Sequence, residues 1–116
     1  MPPAEIAHLQ LLKLIESAPG LSQRELSRAL GVSLGKTHYL LRALVEKGLV
    51  KADNFRRNDN KLAYAYLLTP VGMSEKIRLT RDYLKRKEIE YQTIVAEIEI
   101  LRAEVAEENS VRSELS

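Results

Sequence analysis

Within ten residues the chain places Ser33, Leu34, Gly35, Lys36, His38, Tyr39 and Arg42. A hydroxyl, an ammonium, an imidazole, a phenol and a guanidinium can hydrogen-bond to base edges or to phosphate oxygens, and a leucine can touch a thymine methyl. Further along, Arg56, Arg57 and Lys61 form a second set of cations inside Asp53-Asn54-Phe55-Arg56-Arg57-Asn58-Asp59-Asn60-Lys61. Asn and Asp in that run favour a turn, because their side chains bond their own backbone. The first set suits reading of bases, with Lys36 reaching a guanine acceptor or a phosphate and Arg42, further along, a phosphate. The second suits contact with the phosphate backbone.

These groups need elements that present them. Ser22-Gln23-Arg24-Glu25 spells a capping box, with a hydroxyl to accept from the third backbone N–H and a carboxylate to return the bond. Leu26, Ala29 and Leu30 then give one apolar face, and Gly31 ends the helix. Ser33 caps the next helix, whose apolar positions Thr37, Leu40, Leu41 and Leu44 follow i, i+3, i+4, i+7 spacing. Gly48 stands where a left-handed terminal residue belongs. Gly35, Lys36, His38, Tyr39 and Arg42 must then face outward. Two helices joined by a turn this short are how a second helix is set into the DNA major groove. Gly35 costs about 1 kcal/mol against Ala inside a helix, which close backbone approach to DNA would explain.

After Gly48 the period changes. Leu49-Val50-Lys51-Ala52 is a short strand, and Leu62, Tyr64, Tyr66 and Leu68 alternate with Ala63, Ala65 and Leu67 as a second. The loop between them, from Asp53 to Lys61, is expected to project as a wing. Ala4 to Ser17 reads as a first helix with Ile6, Leu9, Leu12 and Leu14 or Ile15 toward the core, stopped by Pro19-Gly20; Leu21 could add a minimal third strand. Thr69-Pro70 opens a last helix, free of Gly and Pro from Met73 to Glu108. The fold class is therefore mainly α with a small β-hairpin. Residues 1–70 form a winged helix-turn-helix domain, 71–108 a long dimerisation helix, and 109–116 a polar tail that frays.

Gly31-Val32-Ser33, Leu40-Leu41, Leu44, Lys47-Gly48-Leu49-Val50, the basic turn, Tyr66-Leu67-Leu68-Thr69-Pro70 and Gly72 together resemble the MarR family of winged helix-turn-helix regulators. Ser33-Leu34-Gly35-Lys36 and Lys61-Leu62-Ala63-Tyr64-Ala65-Tyr66 resemble, more narrowly, a small bacterial subgroup associated with extracellular-polysaccharide gene clusters. The resemblance implies a dimeric transcriptional regulator, expected to be a repressor. Larger MarR proteins are similar in building their dimer from helices at both ends of the chain. The short N-terminal arm here leaves that work to the C-terminal helix.

Charge is segregated along the chain. From Ser33 to Lys61 there are seven cations against three carboxylates; from Lys76 to Lys87, six against Asp82; from Glu88 onward, two against eight. A localised basic face is the footprint of a DNA binder, although the net charge is only +2. No cysteine is present, which excludes disulfides, thiolate zinc sites and cysteine nucleophiles. No apolar run approaches the ~20 residues that span a bilayer, and the first residues do not resemble a signal peptide, so a cytoplasmic, nucleoid-associated location is expected. Gly31-Val32-Ser33-Leu34-Gly35-Lys36-Thr37 imitates a P-loop but is one residue short and follows a helix. His8 and His38 stand on different helices with no carboxylate cluster beside them. No metal, no cofactor and no enzymatic activity are expected.

The last helix carries a heptad: Ile77, Leu84, Tyr91, Ile98 and Val105 recur every seventh residue, with Ile94 and Leu101 in the companion position. Thr80, Lys87 and Glu108 interrupt it. The seam fits a coiled-coil homodimer, or a single amphipathic helix folded onto its own domain. A parallel pair brings Glu97 to Arg102 but also Lys76 to Arg81. An antiparallel pair lays the basic stretch beside the acidic one, and charge complementarity points to it. The other function class is a protein-interaction adaptor, for which Leu34, Tyr39 and Phe55 would be the exposed apolar anchors.

Overall fold

The computed structural model describes residues 3–56 and 62–115, with side-chain surroundings for residues 5–53 and 66–115. Six elements follow in order: α1 (Pro3–Ser17), α2 (Gln23–Leu30), α3 (Leu34–Glu46), β1 (Val50–Arg56), β2 (Leu62–Leu68) and α4 (Pro70–Leu115). The chain divides into two compact units, Met1–Asp82 and Tyr83–Ser116.

The first unit holds the core. Leu9, Leu11, Leu12 and Ile15 of α1 meet Leu26 of α2 and Leu40, Leu41 and Leu44 of α3, with Leu49, Val50, Tyr66 and Leu79 closing the sides. Burial of some ten large aliphatic side chains, at roughly 1.5–3 kcal/mol each, is what offsets the ordering of so small a head. The expected α1 face is corrected by Leu11, which is fully buried, whereas Leu14 and Ile6 are half-buried. On α2 the expected Ala29 is exposed, and Ser27 is buried instead. The Ser27 hydroxyl stays satisfied by donating to the Arg24 carbonyl at 2.7 Å.

Local signals set the helix ends. Ser22 Oγ accepts from Glu25 N–H at 3.1 Å, and the hydroxyl donates to Glu25 Oε1 at 3.1 Å. The reciprocal bond of the capping box thus closes through the serine hydroxyl. Gly31 and Gly48 end their helices with φ of 71° and 73°, where a side chain would be strained.

The two strands pair antiparallel, Val50 opposite Leu68 through Arg56 opposite Leu62. Asp53, Asn54, Phe55 and Arg56 therefore belong to β1 and not to the loop in which their turn-forming types place them. Cross-strand pairing outweighs local preference here. Leu21 forms no strand, so the described sheet has two.

Helix α4 begins at Pro70 under a tight seat. Thr69 Oγ1 accepts from Gly72 N–H at 3.0 Å and donates to the Gly48 carbonyl at 2.6 Å, while Thr69 N–H donates to the Leu49 carbonyl at 3.1 Å. Gly72 is buried against that same carbonyl; a Cβ there would lie 2.0 Å from Leu49 O. Leu79 is buried two turns on, and Lys76 pairs with Glu16 of α1. The start of α4 is thereby part of the first unit, which reaches residue 82 rather than 70. In the second unit α4 continues through the polar residues 109–115, where the composition alone suggests fraying.

Candidate nucleic-acid interface

Helix α3 is built to show one side. Ser33 caps it, Oγ accepting from Lys36 N–H at 3.1 Å. Thr37, Leu40, Leu41 and Leu44 are buried, the Thr37 hydroxyl donating to the Ser33 carbonyl at 3.0 Å. Ser33, Leu34, Gly35, Lys36, His38, Tyr39 and Arg42 are all exposed, as the spacing predicts, and Tyr39 is 72% exposed. Among the described residues nothing pairs with the Lys36 ammonium. Arg42 Nε donates to Glu46 Oε1 at 3.1 Å, an open i,i+4 pair that a phosphate could displace at little cost. A Cβ at Gly35 would meet nothing within 4 Å, so no packing within the chain requires glycine there.

Of the expected wing contacts, Arg57 and Lys61 lie outside the described residues. Arg56 is described only as the last residue of β1. The stem below them is ordered by Tyr66, which is buried and pairs across the sheet with Ala52.

One participant has no signal in the linear pattern. Gln23, the first residue of α2, donates from Nε2 to Tyr66 Oη at 2.9 Å and stands 3.3 Å from His38 Nδ1. It joins an element of the wing stem to the outward face of α3. Its partners lie 15 and 43 residues away, which is why spacing rules do not find it.

In the first unit the His8 imidazole and the Glu75–Arg78 pair are perturbed. Burial, and then the nearby Lys47, hold the His8 imidazole below its ordinary pKa, with Glu5 opposing. The bond from Arg78 holds the Glu75 carboxyl below the usual carboxylate range. Neither belongs to the exposed face of α3.

In the second unit no described residue is buried. Leu84, Tyr91, Ile94, Ile98, Leu101 and Val105 are all exposed, Leu84 by 56% and Leu101 by 51%, as is Ile77 in the first unit. Ile89 and Ile100, which fall outside the heptad seam, are exposed as well. Lys87, which interrupts the seam, lies along its own helix: its Nζ is 5.3 Å from the centroid of the Tyr83 ring and 3.1 Å from Glu90 Oε2. Among the described residues no three His, Cys, Asp or Glu side chains gather as a metal site, and no helix is long and apolar enough to cross a membrane.

This arrangement defines a winged helix-turn-helix domain. Residues 5–51 match the family described as winged helix-turn-helix DNA-binding. A PadR-like transcriptional regulator from Bacillus cereus is similar over 77% of this chain and 91% of its own, with a TM-score of 0.71 and 16% identity. A MarR transcriptional regulator from Methanosarcina mazei is similar over 74% of this chain and 60% of its own, with a TM-score of 0.63 and 21% identity. Wild-type MarR from E. coli is 28% identical over 65% of this chain and 54% of its own, with a TM-score of 0.57. No curated protein matches the sequence. The chain thus carries a winged helix-turn-helix domain within the fold shared by MarR-family and PadR-like regulators. It spans a little over half the length of the MarR proteins and most of the PadR-like one.

Proposed function

We propose that this protein is a sequence-specific transcriptional regulator that binds double-stranded DNA as a homodimer. The observation that carries the reading is the division of α3: four buried residues seat it, and Leu34, Gly35, Lys36, His38, Tyr39 and Arg42 stand exposed on its other side, with donors that can contact bases or phosphates among them. In this reading Leu34, Gly35, Lys36, His38 and Tyr39 enter the major groove. Ser33 and Arg42 hold phosphate at the two ends of that contact, and Arg56, Arg57 and Lys61 of the wing hold the backbone beside it.

Dimerisation is assigned to the α4 seam of Ile77, Leu84, Tyr91, Ile94, Ile98, Leu101 and Val105, in the antiparallel sense that its charge pattern favours. Two heads would then address the two half-sites of one operator. Repression follows from occupancy of a promoter, in the cytoplasm. A role at extracellular-polysaccharide genes rests on the likeness carried by residues 33–36 and 61–66.

The test is selection of bound duplexes from a random pool, followed by a salt titration on the selected and on random duplex. A regulator yields a symmetric motif and a steep log–log salt slope, and Arg57→Ala lowers that slope by about one unit on every duplex. An adaptor yields neither, and its binding to DNA is absent. For the dimer, chains bearing Leu84→Cys and Leu101→Cys should cross-link to each other. Strong cross-linking of Tyr91→Cys to itself in their place would establish a parallel pair.

A further inference from the structure

The contact between Gln23 and His38 has a chemical direction. The amide nitrogen of Gln23 carries two hydrogens. One goes to Tyr66 Oη at 2.9 Å, and the other faces His38 Nδ1 at 3.3 Å. A nitrogen that receives a hydrogen bond must hold its lone pair, so a bond from the Gln23 amide N–H to Nδ1 requires the tautomer with its proton on Nε2. That Nε2–H is the donor left over, on a side chain that is exposed on the outward face of α3. Tyr66, itself buried in the wing stem, accepts the other hydrogen and holds the Gln23 side chain in place.

We propose that Gln23 is a positioning residue for DNA recognition: by donating to His38 Nδ1 it fixes the imidazole with Nε2–H outward, as a neutral donor for an acceptor atom of the duplex. The inference rests on the DNA-binding reading of α3 and adds a determinant to it. The acceptor is a guanine N7 or O6, or a phosphate oxygen; these share one chemistry and differ in what they report. Because the imidazole is uncharged, its contact adds nothing to the salt slope, which separates His38 from Lys36 and the wing arginines. The same link ties α2, α3 and β2 through one side chain, so the donor is aimed by the scaffold and not by the imidazole alone.

The experiment uses the full chain and nitrogen–proton correlation spectra of its imidazoles. Only His8 and His38 are present, and His8→Gln assigns the signals. The unsubstituted chain should show His38 with its proton on Nε2. Gln23→Glu, which can only accept, should draw the proton to Nδ1, and Gln23→Leu should leave the two tautomers mixed. Both variants should bind the selected duplex about tenfold more weakly, the worth of one hydrogen bond, at an unchanged salt slope. Loss confined to the selected duplex identifies a base acceptor; equal loss on random duplex identifies a phosphate, and either supports the assignment.

A second pair of variants is independent of the part-buried Gln23. On exposed His38, Gln places an amide N–H near the Nε2 position and Asn near Nδ1. His38→Gln should keep more affinity than His38→Asn. A proton found on Nδ1 in the unsubstituted chain overturns the proposal, as do Gln23 variants that leave tautomer or affinity unchanged. If the unsubstituted chain binds no duplex at all, it is the regulator reading that falls. The nitrogen signals still decide whether Gln23 sets the tautomer.

Discussion

Helix α3 and the stretch of α4 beyond Asp82 both expose most of their surface, and they expose opposite things. On α3 a continuous apolar stripe is hidden in the head and the solvent side carries Lys36, His38, Tyr39 and Arg42. On α4 nothing described beyond Asp82 is buried, and Leu84, Tyr91, Ile94, Ile98, Leu101 and Val105 stand in the open at heptad spacing. An exposed cation is ordinary, whereas a periodic exposed aliphatic stripe is unstable alone in water and calls for a surface of its own kind. The lesson is that exposure has no single meaning. On the first helix it matches a charged, hydrated ligand, and on the second an apolar one, of which a second copy of the seam is the simplest.

The contrast is strongest for assembly. Ile94→Lys combined with Leu101→Lys should leave a folded monomer by sedimentation. Affinity for a two-half-site operator should drop about 100-fold or more, because linkage of two heads is lost. Persistence of the dimer would mean that it is built on another surface of the chain. Next in size is Gly72→Ala. A methyl driven against the Leu49 carbonyl should lower head stability by ~1–3 kcal/mol, read as an earlier urea midpoint, with the slope of the transition unchanged.

Lys36→Ala should leave stability alone and weaken operator binding by ~1–3 kcal/mol, with loss of discrimination at one position if the contact is to a base. Gly35→Ala separates the two meanings of a glycine. With open space around its Cβ it should stabilise the head by about 1 kcal/mol, and it should weaken DNA binding if the duplex needs that space.

The smallest effect concerns acidity. Because the His8 pKa is lowered in the folded chain, the unfolded chain binds its proton first as pH falls. The contribution is whole above the ordinary value of 6.5 and is lost as pH drops through 6.5 toward the folded value. Thermal melts from pH 7.5 to 5 should show that slope, and His8→Gln should flatten it.

How much of this could be read from the chain alone follows from the range of each signal. The face of α3 is legible because its cap, its terminal glycine and its four buried positions all lie within 16 residues. The length of β1 is not, since Asn54 and Arg56 look like turn residues until Tyr64 and Leu62 pair with them. The boundary at residue 82 depends on the burial of Leu79 and on Lys76 reaching Glu16, 60 residues back in the chain. Gly72 is visible as part of a motif, but its reason is a carbonyl 23 residues away, and no periodicity points to it. Gln23 reads as an unremarkable helix opener and acquires a role only when α2, α3 and β2 come together.

The seat at Thr69 and Gly72 has a mechanical corollary. Gly48 and Leu49, which receive those bonds, lie two and three residues beyond the end of α3. No slack segment intervenes to absorb movement. A torque applied to the opening turn of α4 would be delivered to α3 as a tilt, so a molecule gripping that turn could retune operator affinity while touching nothing on the groove side.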